Sequence, residues 1–434
     1  MISTDRGLLR LALPALGALV AEPVYVLTDT AIVGRLGTVP LAGLAIASAV
    51  LLSGYAVFIF LAYGTTSAVA RYLGAGEQRA AAEQAVQGLW LAAGIGVVLA
   101  GLGLVGGPAL IGLLGGRGEV AHQAEIYLRI SLFGVPALLV SLAGLGYLRG
   151  RQDTRTPLFV ALGTAVGNGV LEAILVFRFD QGIGASALST VAAQTVAAGI
   201  FCGQVARHAR CFGARLGPQP RRLGRLLVVG VHLAIRTAAL RASLLVGVAV
   251  AARIGTVEVA AYEVSFQIWS LAALALDAVA IAAQALVAGA LGAGDANLAR
   301  LVGRRALWLS LWAGVALAVV LILTRHPLAA IFSTDPAVVD LAAFSLVIVG
   351  AMQPINGLVF ALDGILIGAG DQRFLAGAMA AAFALYAPLA VAVGALGGGL
   401  GWLWAALCVL MVGRGSVLAW RFAGGRWLVL GAIR

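Results

Sequence analysis

The sequence contains no lysine, only 18 acidic residues, four histidines and three cysteines. Cys202, Cys211 and Cys408 form no C-x-x-C pair, so neither a disulfide framework nor a zinc site is indicated. The histidines are scattered without the spacing of metal ligands. Because no His/Asp or His/Cys cluster supplies a nucleophile with its base or a metal set, we expect no enzyme activity and no cofactor.

Charge of either sign is also scarce. Of the 434 residues, 11% are charged and 62% are hydrophobic, whereas roughly 25% of the residues of a soluble domain are charged. Apolar runs of about 20 residues, the length that spans a bilayer as a helix, recur along the whole chain. This composition predicts an all-α membrane protein that crosses the bilayer many times.

The basic residues are all arginine, and they give the chain a formal charge of +11. They lie mostly between apolar runs, without interleaved aromatic residues or a basic arm, so we expect no nucleic-acid partner. Their excess in alternate loops follows the positive-inside rule if both termini are cytoplasmic. We interpret the first apolar segment as a retained helix, because it continues past the alanine at which a signal peptidase would cut.

Apolar runs and loops predict twelve transmembrane helices in two lobes. The first lobe covers 1–206, an Arg-, Gly- and Pro-rich cytoplasmic linker covers 207–225, and the second lobe covers 226–434. The predicted spans are 10–33, 41–70, 85–107, 124–148, 157–178, 184–206, 226–252, 259–288, 306–324, 338–368, 374–393 and 401–420.

An internal repeat supports this division. A shift of 218 residues aligns "RLGTVPLA" with "RIGTVEVA" and "LGAGE" with "LGAGD", and it superposes Trp90 on Trp308 and Pro136 on Pro354. Scarce residue types that match at one gap-free offset indicate a duplication. An even number of spans per repeat makes the repeats parallel, which is typical of secondary transporters with the substrate path between the halves.

Charged residues within predicted spans mark candidate sites, because a charge at the bilayer centre costs at least about 2.5 kcal/mol. Glu22 and Asp29 lie nearly two turns apart on one side of the first span, where Pro14 and Pro23 each remove a helical hydrogen bond. A bendable helix that carries a carboxylate suits a switch driven by protonation. For Glu22 the alternative is a buried ion pair, with Arg129 or Arg241.

The fifth span places Asn168 and Glu172 one turn apart, where they can ligate a cation or clamp two helices together. Asp277 and Asp363 in the second lobe are expected to face its interior, either as functional groups or paired with Arg236 and Arg241. From the residues alone, Tyr127 and Thr190 are packing residues.

Several segments together resemble the multidrug and toxic compound extrusion (MATE) transporters, and above all their DinF-like branch. The resemblance rests on "DTAIVGRLGTVPLAGLA", "LGYLRGRQDTRTPL", "AIAAQALVAGALGAGD" and "ALDGILIGAGDQRF", which together extend over nearly the whole chain. It implies two six-helix lobes arranged as a V in a bacterial cytoplasmic membrane. It also implies a monomeric antiporter that exports organic cations or lipophilic drugs in exchange for H⁺ or Na⁺.

The family's cation site, transferred by motif, falls on Asp29, Asn168, Glu172, Tyr127 and Thr190, with helix bending near Pro14. The resemblance therefore replaces the packing interpretation of Tyr127 and Thr190. Glu172 departs from the family's usual aspartate, and the second-lobe acids do not match the Na⁺-coupled branch. We therefore expect H⁺ coupling, with Na⁺ at Asp29, Asn168 and Glu172 as the alternative. A flippase for lipids or lipid-linked sugars is the second function to consider, and the arginines Arg129, Arg236 and Arg241 favour it.

Overall fold

The computed structural model describes residues 2–179 and 181–432, and these residues contain helices and loops but no β-strand. Within these described residues, ten helices are long and apolar enough to cross a membrane, and the number rises to twelve if each of two bent helix pairs is one span. The chain is therefore a multi-pass membrane protein, as its composition predicts.

Fifteen α-helices are joined by short connections. Their bounds are α1 Ile2–Gly34, α2 Thr38–Tyr55, α3 Phe60–Gly74, α4 Gln78–Leu113, α5 Gly118–Leu132, α6 Val135–Gly150, α7 Arg155–Phe177, α8 Ile183–Cys211, α9 Pro220–Ile254, α10 Thr256–Gly292, α11 Ala296–Leu323, α12 Arg325–Phe332, α13 Pro336–Gly368, α14 Gln372–Ala395 and α15 Leu400–Ala423.

Two of the predicted spans are broken. The pair α2 and α3 bends by 46° around a short 3₁₀ segment at Ala56–Ile59, and the pair α5 and α6 bends by 49°. In the second pair, Phe133 and Gly134 separate the two helices. Pro136 is the second residue of the helix that follows. A proline in the first turn has no N–H to donate to the preceding helix, so a new helix begins there.

Helix boundaries recur at the offset of the sequence repeat. Shifted by 218 residues, six ends in the first half fall on ends in the second half: Thr38 on Thr256, Gly74 on Gly292, Gln78 on Ala296, Gly118 on Pro336, Gly150 on Gly368, and Phe177 on Ala395. The secondary structure thus follows the duplication that the sequence predicts.

Close helix packing repeats as well. Gly146 lies so near the backbone of Ala62 that a Cβ atom has no room, and Gly364 lies in the same way against Ala280. Ala62 and Ala280 are themselves related by the repeat offset. Small residues at a crossing let two helix backbones approach, which is how helices associate in membranes.

Contacts divide the chain into two compact units. We call Gly17–Gly230 the N-unit, and Val231–Arg434 together with Met1–Leu16 the C-unit. The helix α1 thus begins in one unit and ends in the other, whereas the predicted lobes assign all of 1–206 to the first. Within the C-unit, the start of α1 buries Leu8 and its Asp5 carboxylate lies 3.8 Å from the Arg305 guanidinium.

Candidate functional site

Asp29 is the buried carboxyl of α1. Its side chain is 6% exposed, and the Ser186 hydroxyl of α8 donates a short hydrogen bond to its Oδ1 atom. The neighbouring Thr28 and Thr30 hydroxyls instead donate to carbonyls one turn earlier on α1. These two hydroxyls are therefore satisfied within α1, whereas Asp29 reaches across to another helix.

The helix α7 contributes an amide and a second carboxyl. Asn168 donates from Nδ2 to the Ser189 hydroxyl at 3.1 Å and to the Thr190 hydroxyl at 3.5 Å, both on α8. Glu172 is completely buried, and neither of its carboxyl oxygens has a hydrogen-bond partner among the described residues. Its carboxyl nevertheless lies within electrostatic range of Asp29 and Ser186.

Two tyrosines close the cluster. The Tyr25 hydroxyl of α1 lies 2.6 Å from the Thr190 hydroxyl. Tyr127 of α5 is 5% exposed, and its phenol neighbours Asp29, Ser186 and Thr190. The structure therefore brings together all five predicted residues, namely Asp29, Tyr127, Asn168, Glu172 and Thr190.

Sequence reasoning missed three members of this cluster: Tyr25, Ser186 and Ser189. A lone hydroxyl in an apolar helix carries little signal, because it can bond to its own backbone. Ser186, Ser189 and Thr190 nevertheless follow the i, i+3, i+4 spacing of one helix face, so this pattern could have marked them.

The electrostatics of the cluster are unusual for a membrane interior. Within the described part of the chain no arginine pairs with Asp29 or Glu172, and the two carboxyls are each other's charged neighbours. Two adjacent buried carboxylates repel each other, so a proton or a small cation stabilises the pair. Carboxyl, amide and hydroxyl oxygens suit H⁺ or a hard cation such as Na⁺, and no cluster of three or more His, Cys, Asp and Glu is found among the described residues.

The C-unit holds a different buried charge cluster. Asp363 of α13 accepts from Arg236 of α9 at 2.6 Å and forms a second, closer ion pair with Arg414 of α15. The side chains of Asp363 and Arg414 are 7% and 4% exposed. The pairing of Asp363 with Arg236 was one of the two predicted alternatives, and Arg414 was not foreseen.

The remaining charged candidates are more exposed than the carboxyl groups of the two clusters. Arg129 is 62% exposed and pairs with Glu125 one turn earlier at 2.5 Å. Glu22 and Arg241 are exposed, and Asp277 is half-buried. The helix α1 runs without interruption through Pro14 and Pro23, so their role in bending remains a prediction.

Comparisons with known proteins decide the family. The model of the MatE family matches residues 14–175 and 233–392, one segment in each repeat. The chain belongs to the MatE family. Its membership agrees with the resemblance of the sequence motifs, and MatE proteins are membrane transporters.

The chain is similar to relatives along nearly its whole length. It is 32% identical over 439 residues to Protein DETOXIFICATION 44, chloroplastic, of Arabidopsis thaliana, with 98% of this chain and 83% of that protein covered. It is 29% identical over 436 residues to DNA damage-inducible protein F of Escherichia coli strain K12, with 98% and 95% covered. A crystal structure of the Vibrio cholerae MATE transporter VcmN in the bent form matches with a TM-score of 0.89 at 21% identity, with 98% and 97% covered.

Proposed function

We propose that this MatE protein is a proton-coupled antiporter that exports organic cations or lipophilic drugs by alternating access. The observation that carries the proposal is the buried pair of Asp29 and Glu172, which has hydroxyl and amide neighbours but no arginine partner in the described residues. A membrane protein bears the cost of such a pair where the carboxyls exchange a proton or a cation.

The coupling follows from the charge of the pair. When Asp29 is ionised, the negative charge of the N-unit attracts cations. A cationic substrate and H⁺ then compete for this charge. When a proton arrives from outside, the attraction is lost and the substrate is released outward. The empty carrier then returns the proton to the cytoplasm. A coupling ion shifts the balance of two conformations only by its difference in affinity for them.

The bending of α1 is the proposed link between protonation and shape. Pro14 and Pro23 leave two carbonyls of this long helix without their usual N–H partners. Asp29 lies six residues after Pro23 on the same helix, and Ser186 ties it to α8. A proton on Asp29 weakens this tie, so the helix becomes free to bend at a proline.

Location, assembly and ion choice complete the proposal. We place the protein as a monomer in a bacterial cytoplasmic membrane with both termini cytoplasmic, because that orientation puts most loop arginines inside. H⁺ is the preferred coupling ion over Na⁺, because the unpartnered oxygens of Glu172 are fully buried and need only a proton to become neutral.

Transport in proteoliposomes tests the proposal. Vesicles that are acidic inside should accumulate ethidium when they contain the wild-type protein, and an outward Na⁺ gradient at equal pH should not drive accumulation. Vesicles with Asp29→Asn should behave like protein-free vesicles. Accumulation driven by Na⁺ alone would transfer the coupling to Na⁺, and undiminished proton-driven transport by Asp29→Asn would overturn the assignment.

A further inference from the structure

A cavity of about 660 Å³ opens at one end of the N-unit, away from the carboxyl cluster. It lies where α3 ends, α4 begins, and α6 and α8 end, so it faces one membrane surface. Its polar lining includes Arg151, Arg207, His208, Gln78 and Gln204, and no carboxylate lines it among the residues that the structure describes. By the distribution of arginines, this surface is the predicted cytoplasmic one.

One chain of hydrogen bonds orients the histidine in this lining. Arg151 Nη1 donates to the Tyr147 hydroxyl at 3.3 Å, and the same hydroxyl forms a short bond with His208 Nδ1. Because arginine can only donate, the Tyr147 oxygen accepts from Arg151.

Aromatic contacts hold these groups in place. The Arg151 guanidinium lies 5.6 Å from the centre of the Tyr147 ring, and the His208 ring meets Phe212 edge to face at 4.7 Å. His208 is 8% exposed, and its ring lies between the buried Tyr147 and the exposed Phe212. Arg151 and His208 are thus held in place before any ligand arrives, which lowers the entropy cost of binding.

The neighbouring cavity of about 770 Å³ differs in its charge. There Glu83 pairs with Arg79 at 3.2 Å and with Arg222 at 2.7 Å, so positive and negative groups largely cancel. In the first cavity the two arginines have no acidic counterpart in the lining. A surplus of donors without acceptors calls for an anionic ligand.

The C-unit lacks most of this arrangement at the equivalent positions. At the same offset, Ala369 stands for Arg151, Ile365 for Tyr147 and Gly425 for Arg207, whereas Arg426 stands for His208. A different cavity of the C-unit, of about 650 Å³, includes Asp371 and Arg421 in its lining, and these form an ion pair at 2.7 Å. The contact between Arg151 and Tyr147 is therefore found in the N-unit and has no equivalent at the repeat offset.

We propose that the cavity lined by Arg151, Arg207 and His208 binds a phosphate-bearing anion at the membrane surface. The planar guanidinium groups of two arginines match the oxygens of a phosphate, and a basic pocket between transmembrane helices is the usual setting for an anionic lipid headgroup. The same chemistry would hold a free phosphate. This site is independent of the carboxyl cluster and of the proposed transport.

Calorimetric titration of the full-length protein in neutral detergent tests the site. The probes are dioctanoyl phosphatidylglycerol, dioctanoyl phosphatidylcholine and inorganic phosphate. We expect phosphatidylglycerol, inorganic phosphate or both to bind. Zwitterionic phosphatidylcholine should bind at least about tenfold more weakly, which corresponds to the loss of one charge-assisted contact. Binding of phosphatidylglycerol without inorganic phosphate identifies a lipid ligand, and binding of inorganic phosphate alone identifies a soluble one.

The variants assign the binding to this cavity. Arg151→Gln with Arg207→Gln should weaken the anion by more than about tenfold, and Arg207→Gln alone should weaken it in the same direction without disturbing the bond to Tyr147. Arg210→Gln is the matched control, because this exposed arginine lies on the same helix but outside the lining. Equal affinity in wild type and both Arg207 variants, or no binding of either anion, would overturn the proposal.

Discussion

The two repeats place opposite chemistry at equivalent positions. The carboxyl cluster of the N-unit, moved by the repeat offset, falls on a buried region of the C-unit that contains no carboxyl among the equivalent residues. The equivalent pairs are Asp29 and Gly247, Asn168 and Tyr386, Glu172 and Ala390, and Ser186 and Trp404. One backbone pattern therefore supports an ionisable site in one unit and an aromatic core in the other.

Aromatic side chains occupy the region equivalent to the carboxyl cluster. The hydroxyls of Tyr262 and Tyr386 approach Gly247 so closely that a Cβ there would collide with Tyr262 and lie 3.0 Å from the Tyr386 oxygen. Trp404 stacks on Tyr262 with ring centres 5.1 Å apart. Because Gly247 has no side chain, the tyrosines can fill the space. The comparison favours the N-unit as the place where a coupling ion binds.

The C-unit has a buried carboxyl at another position, Asp363, and its charged neighbours are arginines. Asp363 lies between Arg236 and Arg414, so its charge is compensated twice over. Among the described residues, Asp29 and Glu172 have only each other as charged neighbours. Two neighbouring arginines favour the ionised form of a carboxyl group. A second carboxylate at the same site favours protonation instead.

The largest effect on stability is expected at the charge cluster of the C-unit. Asp363→Asn leaves two buried arginines without their counter-ion and should lower the free energy of unfolding by about 3–5 kcal/mol. Thermal melting of the purified protein in detergent measures this loss. Arg129→Gln, which removes an exposed ion pair, should leave the melting temperature unchanged. Equal melting of the two variants would mean that the Asp363 pairs contribute no more than a surface contact.

A smaller loss is expected where the tyrosines fill the C-unit. Gly247→Ala places a methyl group against the Tyr262 hydroxyl and should cost about 1–3 kcal/mol. Gly163→Ala is the matched control, because a Cβ there meets nothing within 4 Å and alanine favours a helix. If Gly247→Ala melts no earlier than Gly163→Ala, the aromatic filling is looser than the comparison requires.

Glu172→Gln separates stability from transport. Removing one of two adjacent buried carboxyls relieves their repulsion. The variant should therefore melt no earlier than the wild type, and its free energy of unfolding should be unchanged or higher by up to about 1–2 kcal/mol. Proton-driven accumulation of ethidium should fall at the same time. A variant that melts earlier and transports normally would assign Glu172 to packing between helices.

The smallest effect is expected when the Ser186 hydroxyl, which donates to Asp29, is removed. Ser186→Ala removes one buried donor and should cost about 1 kcal/mol, with export reduced but retained. Thr195→Ala on the same helix is its control, because that exposed hydroxyl bonds only to the Val191 carbonyl one turn away. Identical export by both variants would show that the bond from Ser186 is dispensable.

The sequence was sufficient for the all-helical, multi-pass architecture and its internal repeat, because long apolar runs and a fixed repeat offset leave few alternatives. It also selected Asp29, Asn168 and Glu172, since polar groups in a membrane helix are costly and therefore conspicuous. The predicted spans did not include the breaks in the second and fourth spans, although Pro136 marks the second of these breaks. The role of Ser186 needed the structure, because a serine is inexpensive in any helix.

Arg414 shows a second limit of sequence reasoning. It lies within a predicted span but near the end that faces the arginine-rich loops, where a long side chain can reach the interface and needs no partner. Only the packing of α9, α13 and α15 places it against Asp363. Pairing between distant helices carries no local pattern, so it could not be predicted from spacing.

Proton release on substrate binding tests the central claim most directly. Purified protein in weakly buffered detergent solution receives a saturating organic cation, and a pH indicator records the protons that leave. The account predicts release from wild type, none from Asp29→Asn, and undiminished release from Arg129→Gln as a surface control. Release from Asp29→Asn equal to that from wild type would contradict it, because the exchanged proton would then lie outside the N-unit carboxyl pair.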